Sequence, residues 1–94
     1  MIRPKLRYLP LAKETIKTLN PVIKPNIKAE IERLTYDPYK GKELLEELSG
    51  FRSLAIGKYR VIYRFEEPHR IDVCHVGHRR DIYERFREML EGIK

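Results

Sequence analysis

The sequence predicts an α+β domain: an N-terminal helical hairpin on an antiparallel-rich sheet of about four strands, with a C-terminal helix. Three observations carry this. Between Leu11 and Leu34 the apolar residues recur at helical spacing, as Ala12, Ile16 and Leu19, then Ile23, Ile27, Ile31 and Leu34. From Phe51 to Val76 the period becomes two, most cleanly in YRVIYRF, where Tyr59, Val61, Tyr63 and Phe65 alternate with Arg60, Ile62 and Arg64. Beyond Asp81 the helical period returns, with Ile82, Phe86, Met89 and Ile93 on one stripe.

Each element has its own punctuation. RPKLRYLP reads as a short first strand closed by Pro10. The first helix runs from Leu11 and is broken at Asn20-Pro21, because proline disfavours the helical region for the residue before it. Pro25 places the regular start of the second helix there, with 21–24 as an irregular first turn, and Tyr36-Asp37-Pro38 ends it. A polar linker, 39–50, carries one helical turn in ELLEEL. Strands follow over 51–56, 59–65 and 71–76, joined by the Gly57-Lys58 turn and by a turn over 66–70 that contains Pro68. The strand 71–76 is apolar on both faces and therefore takes an interior position. Asp81 and Glu84 form a capping-box pair ahead of the last helix. The expected order is β-α-α-β-β-β-α in one domain spanning 1–94.

Composition narrows the function classes. Lys and Arg total 20 against 14 Asp and Glu, a formal net charge of +6, which favours an anionic partner, nucleic acid or acidic protein. One cysteine, Cys74, excludes an internal disulfide and fits a reducing cytoplasm. No apolar run approaches the ~20 residues needed to cross a membrane, and MIRPKLRYLP lacks a secretory core. The charge content, with no Gln, points weakly to a thermophilic source.

Arg60 and Arg64 share the strand face opposite the aromatic one, and the next strand ends in His78, Arg79 and Arg80, with Arg52 one hairpin earlier. Guanidinium groups grip phosphate bidentately, so this face suits a nucleic-acid backbone, while open sheet faces are also commonly polar for solvation alone. Cys74, His75 and His78 are unsuited to a metal, because neighbouring strand residues point to opposite faces. His75 reads as a half-buried structural residue and His69 as a turn residue facing solvent. There is no Gly-rich phosphate loop, Walker motif or serine elbow.

Gly-x-Tyr-Arg-x-x-Tyr (57–63) and Val-Gly-His-Arg-Arg-x-x-Tyr (76–83), following a helical hairpin, give a chain that resembles the RelE/ParE superfamily of toxin–antitoxin toxins over nearly its whole length. The resemblance implies a microbial-ribonuclease-like fold, with helices on one face of the sheet and a concave basic face on the other. It implies a toxin held inactive by a small acidic antitoxin, in an oligomer with it, in the cytoplasm. RelE-type members cut mRNA on the ribosome without metal or cofactor, through attack of a 2′-hydroxyl on the adjacent phosphate. By motif, Arg60 would contact the scissile phosphate, Arg79 would stabilise the transition state, Tyr83 would stack on or activate the RNA, and His78 would serve as acid or base. Arg52, Arg64 and Arg80 would contact RNA. One departure stands out: the strand FRSLAIG carries Ser53 and Ala55 where the family often has a basic residue. The alternatives are a ParE-like inhibitor of DNA gyrase, and a weakly active homologue that mainly binds its antitoxin.

Overall fold

The computed structural model describes residues 3–92. The elements are β1 (Lys5–Tyr8), α1 (Pro10–Lys17), α2 (Lys24–Arg33), β2 (Lys42–Glu43), β3 (Arg52–Ile56), β4 (Tyr59–Glu66), β5 (Arg70–His78) and α3 (Ile82–Gly92). A short 3-10 turn, Glu46–Leu48, supplies the turn expected in ELLEEL.

Local chemistry explains the boundaries. α1 begins at Pro10 itself, whose fixed φ and missing N–H suit a helix's first position, so Pro10 opens the helix as well as closing the strand. Asn20 then folds the connection: its side-chain oxygen accepts from the Val22 N–H at 2.8 Å, and its carbonyl accepts from Ile23 and Lys24. α2 starts at Lys24 with Pro25 in its first turn, as the sequence predicts. The β3–β4 hairpin turns at Gly57, whose φ of +58° lies in the left-handed region glycine tolerates.

The sheet has five strands in the order β1-β5-β4-β3-β2, one more than expected. The added strand, β2, pairs only Lys42 with Ser53 and Glu43 with Arg52, too short a ladder to leave a periodic signal. β1 runs parallel to β5, and the other pairs are antiparallel. β5 lies between β1 and β4, which accounts for the apolar residues on both its faces.

One face of the sheet carries the hairpin. Ala12, Ile16, Ile27, Ile31 and Leu34 close over Leu54, Val61, Tyr63, Ile71, Val73 and Val76, with Tyr59 and Phe65 at the margin. The other face is not left open. α3 crosses it, burying Ile82 and Phe86 against Ile62, Cys74 and Leu48. The expectation of helices on one face only is thus corrected: an apolar stripe on α3 and two apolar residues on the far face of the sheet have to bury one another. Ile82, Phe86 and Met89 form the stripe as predicted, and Ile93 lies outside the described residues. The Asp81 carboxylate pairs with Arg85 at 3.1 Å, and no capping bond with Glu84 forms among the described residues.

The strict alternation expected along β5 also fails. Pairing with β4 slips between Ile62 and Tyr63: Ile62 faces His75, but Tyr63 faces Val73. Cys74 is the extra residue of a β-bulge, so Cys74 and His75 both turn toward α3.

Candidate functional site

The register decides which side chains can act together, because residues paired directly across a ladder project to the same face. Ala55 pairs with Arg60, and Ser53 with Ile62, on the face that α3 covers. α3 covers only the Ile62 end of this pair; Ala55 is exposed and Arg60 half-exposed. The Arg60 guanidinium folds back and donates to the carbonyls of Gly57 at 2.9 Å and Tyr59 at 2.8 Å, which fixes it to its own turn. Tyr83, in the first turn of α3, reaches across to β3, where its hydroxyl lies 2.7 Å from that of Ser53. Arg60 and Ser53 are diagonal neighbours, roughly 7–8 Å apart at Cα in such a ladder.

Arg79 and Arg80 follow the end of β5 and are exposed; the Arg79 N–H is tied to the Lys58 carbonyl at 2.7 Å. The β3–β4 hairpin and the start of α3 are therefore held at one corner. Arg60, Arg79 and Arg80 make no ion pair among the described residues, so their charge is not cancelled locally.

Three residues expected at this site are elsewhere. His78 pairs with Tyr59, on the hairpin face, with the two rings 5.8 Å apart and edge-on. Its Nδ1 accepts from the Arg80 N–H at 3.2 Å, so it shapes the turn behind the site. Arg52 pairs with Tyr63 and faces the hairpin side too. It donates to the Gly41 carbonyl at 2.8 Å and lies over the Tyr39 ring at 5.0 Å, so it is a loop clamp. Tyr63 completes that clamp, accepting from the Gly41 N–H and donating to the Pro38 carbonyl. Burial pushes the Tyr63 phenol up, against the opposing pull of the Gly41 N–H.

Arg64 is on the same face as Arg60, but at the other end of β4 and beyond α3. It pairs with Glu66 at 2.8 Å and approaches Asp72 at 3.8 Å. Asp72 is fully buried and also takes paired contacts from Arg7 (3.0 and 3.1 Å) and Arg70 (2.8 and 3.3 Å). Sequence reasoning missed this hub, although a single acid inside the apolar run IDVCHV was a signal, since buried carboxylates need cationic partners. It also missed Ser53 as a partner of Tyr83, which no local pattern encodes.

Toward α3, the bulge leaves the Cys74 thiol pushed up to about 11 by burial, with Arg64 opposing. His75 is pushed down, by burial first and then by Arg85, and stacks on Phe86 with ring centres 6.3 Å apart. No group of three or more His, Cys, Asp or Glu side chains converges among the described residues.

A basic corner fed by a hairpin and a helix start, on a five-stranded sheet between helices, defines a small toxin of the RelE/ParE type. The sequence profile described as ParE toxin of type II toxin–antitoxin system, parDE, matches residues 6–83, and the chain belongs to this family. It is 31% identical over 83 residues to Toxin RelG of Mycobacterium tuberculosis, covering 85% of this chain and 95% of that protein. Among solved structures it is similar to the toxin–antitoxin complex RelBE2 of Mycobacterium tuberculosis (28% identity, TM-score 0.76, 83% of this chain and 100% of that one). It also shares the fold of a mutant of the E. coli toxin RelE in the free state (17% identity, TM-score 0.76, 99% and 100% coverage).

Proposed function

We propose that this toxin is an endoribonuclease that cleaves mRNA on the ribosome, by attack of a 2′-hydroxyl on the neighbouring phosphate. The observation that carries the reading is the corner itself: Arg60, Tyr83 and Ser53 on one sheet face, with Arg79 at its rim and no acid paired to either arginine among the described residues. Charge builds on the phosphoryl oxygens as the 2′-oxygen adds, and fixed guanidinium groups stabilise it most when water is excluded. Arg60 is fixed through the Gly57 and Tyr59 carbonyls, so it needs little reorganisation on binding. Arg79 closes on the phosphate from the turn, and Arg80 contacts flanking backbone. On the face that Arg60 shares, His75 is buried against Phe86, whereas Tyr83 is half-exposed in the first turn of α3; Tyr83 takes the proton-handling role in place of His78, which faces the other way.

A translation reaction with defined mRNA tests this. Wild-type protein should cut inside ribosome-bound codons and leave 2′,3′-cyclic or 3′-phosphate ends. Arg79→Ala should cut roughly a hundredfold more slowly, the cost of losing one fixed donor to a developing anion. Its melting temperature should hold, since surface substitutions usually change stability by within about 0.5 kcal/mol. Fragments ending in 3′-hydroxyl groups would exclude the mechanism.

Two observations favour a second reading, inhibition of DNA gyrase: the profile match is to ParE, and the site offers hydroxyl-bearing Ser53 and apolar Ala55 where a base is expected. Gyrase-dependent DNA cleavage complexes with mRNA left intact would decide for it.

The partner is a small acidic antitoxin, bound in the cytoplasm. RelE-like toxins of Mycobacterium tuberculosis, E. coli and Pyrococcus horikoshii have been solved in complexes with antitoxins. Here a groove of about 470 Å³ between β1 and the hairpin is rimmed by Lys13, Lys17, Lys24 and Lys28, none of them ion-paired among the described residues. Charge complementarity of that kind makes association fast and salt-sensitive. An association rate unchanged between low and high salt would count against it.

A further inference from the structure

We propose that Ser53 positions Tyr83 for the reaction, through the 2.7 Å bond between their hydroxyl groups. This role rests on the ribonuclease reading above. Ser53 is only 6% exposed, and it stands on β3 across from Ile62, under the first turn of α3. Its cross-strand neighbours on this face are buried Ile62 and, at the exposed edge, Lys42, with Ile82 and Phe86 also buried on this face. A hydroxyl in such a place has to find a partner, and the partner it finds is the Tyr83 phenol.

The distance is that of a well-formed O–H···O bond, in which one proton lies between two oxygens. When Ser53 donates, the phenol's own proton is left to point out of the pair. When Ser53 accepts, that proton is withdrawn from any ligand. The serine therefore sets both where the Tyr83 oxygen sits and which way its proton faces. A tyrosine ring has little freedom of its own here. Buried Ile82 on one side and Phe86 one turn later hold α3 against the sheet, so the Cα of Tyr83 is fixed and the hydroxyl contact fixes the remaining torsions. A basic side chain at this position would supply charge; serine supplies direction.

The test is single-turnover cleavage of mRNA in programmed ribosomes by wild type, Ser53→Ala, Ser53→Thr, Tyr83→Phe and the Ser53→Ala/Tyr83→Phe double variant. Ser53→Ala should cleave about tenfold more slowly, the usual worth of one neutral hydrogen bond, with ribosome affinity unchanged. Ser53→Thr, which keeps the hydroxyl, should restore most of the rate. The double variant should be no slower than Tyr83→Phe alone, because the two residues then act as one unit. Melting curves of each variant separate this from a folding defect. If Ser53→Ala cleaves like wild type, or the double variant multiplies the two losses, the role is overturned while the ribonuclease reading stands. If wild type fails to cleave at all, both fall together.

Discussion

Asp72→Asn should destabilise the protein by about 2–3 kcal/mol, and the reasoning can be followed atom by atom. The native carboxylate is fully buried and receives two paired sets of contacts, from Arg7 at 3.0 and 3.1 Å and from Arg70 at 2.8 and 3.3 Å, with Arg64 at 3.8 Å. Removing one partner of a fully buried ion pair costs about 3–5 kcal/mol. That is an upper limit here, because the three arginine side chains are 52%, 45% and 41% exposed and regain water when the acid is lost. An asparagine keeps one acceptor oxygen but sets an NH₂ group against a guanidinium, a direct donor–donor conflict. A loss of about 2–3 kcal/mol corresponds to a fall in melting temperature of roughly 10–20 °C for a domain this size. Thermal unfolding followed by circular dichroism would measure it. The variant should also recover stability in added salt more than wild type does, since three guanidiniums then lack their shared counter-charge. A fall of less than about 4 °C, insensitive to salt, would show that the arginines solvate themselves and that the hub does not hold β1 to β5.

Other expectations follow the same logic. His75 is held neutral by burial, so its pKa in the fold lies below the ordinary value of about 6.5; the unfolded chain binds the proton first, and stability present above that pH is lost as pH falls through it. Melting temperatures between about pH 7.5 and 5 should therefore drop less steeply in His75→Asn than in wild type, and parallel curves would refute the assignment. A Cβ at Gly41 would come within 2.6 Å of the Tyr63 ring and hydroxyl, so Gly41→Ala should cost about 1–3 kcal/mol in urea unfolding, and a neutral result would mean the loop simply moves. Phe86→Ala removes a ring 1% exposed that meets Phe51 edge-on at 5.0 Å, and should cost about 3–5 kcal/mol in urea unfolding; a variant as stable as wild type would contradict the packing.

The sequence made legible what repeats and hid what interrupts. YRVIYRF declares its two faces because alternation runs unbroken through β4, and the hairpin face closed over Val61 and Tyr63 as that pattern requires. The same rule applied to VCHV fails, because one extra residue at Cys74 reverses the faces of everything after it. His78 is the casualty: nothing in its neighbours announces that it shares a face with Tyr59. Arg52 is a different case. Placing it at a strand start was right, but a side chain there can face either way, and the two-residue ladder of β2 brings the Gly41 carbonyl that claims it. The arginines of the corner were named as candidates because they lie on contiguous motifs. Ser53 and Asp72 were not, because their meaning lies in partners up to 65 residues away.

α3 ties the core to the corner, and this bears on how variants of the site must be read. Its inner stripe, Ile82 and Phe86, is buried against Ile62 and Cys74, while Tyr83 between them sits half-buried beside the same cluster. Tyr83 is thus no freely replaceable surface residue: its ring contributes to packing and its oxygen bonds that of Ser53. Tyr83→Ala would remove both at once and report on neither. Tyr83→Phe keeps the ring and removes only the oxygen, so its loss of activity can be assigned to the hydroxyl. The residual stability change is then the cost of leaving buried Ser53 without its partner, about 1–3 kcal/mol for a buried group left unsatisfied. Arg79 carries no such ambiguity, being exposed and held through its backbone alone. A large loss of activity in Arg79→Ala therefore speaks for chemistry, and the same loss in an α3 variant speaks for chemistry only once its melting temperature is known.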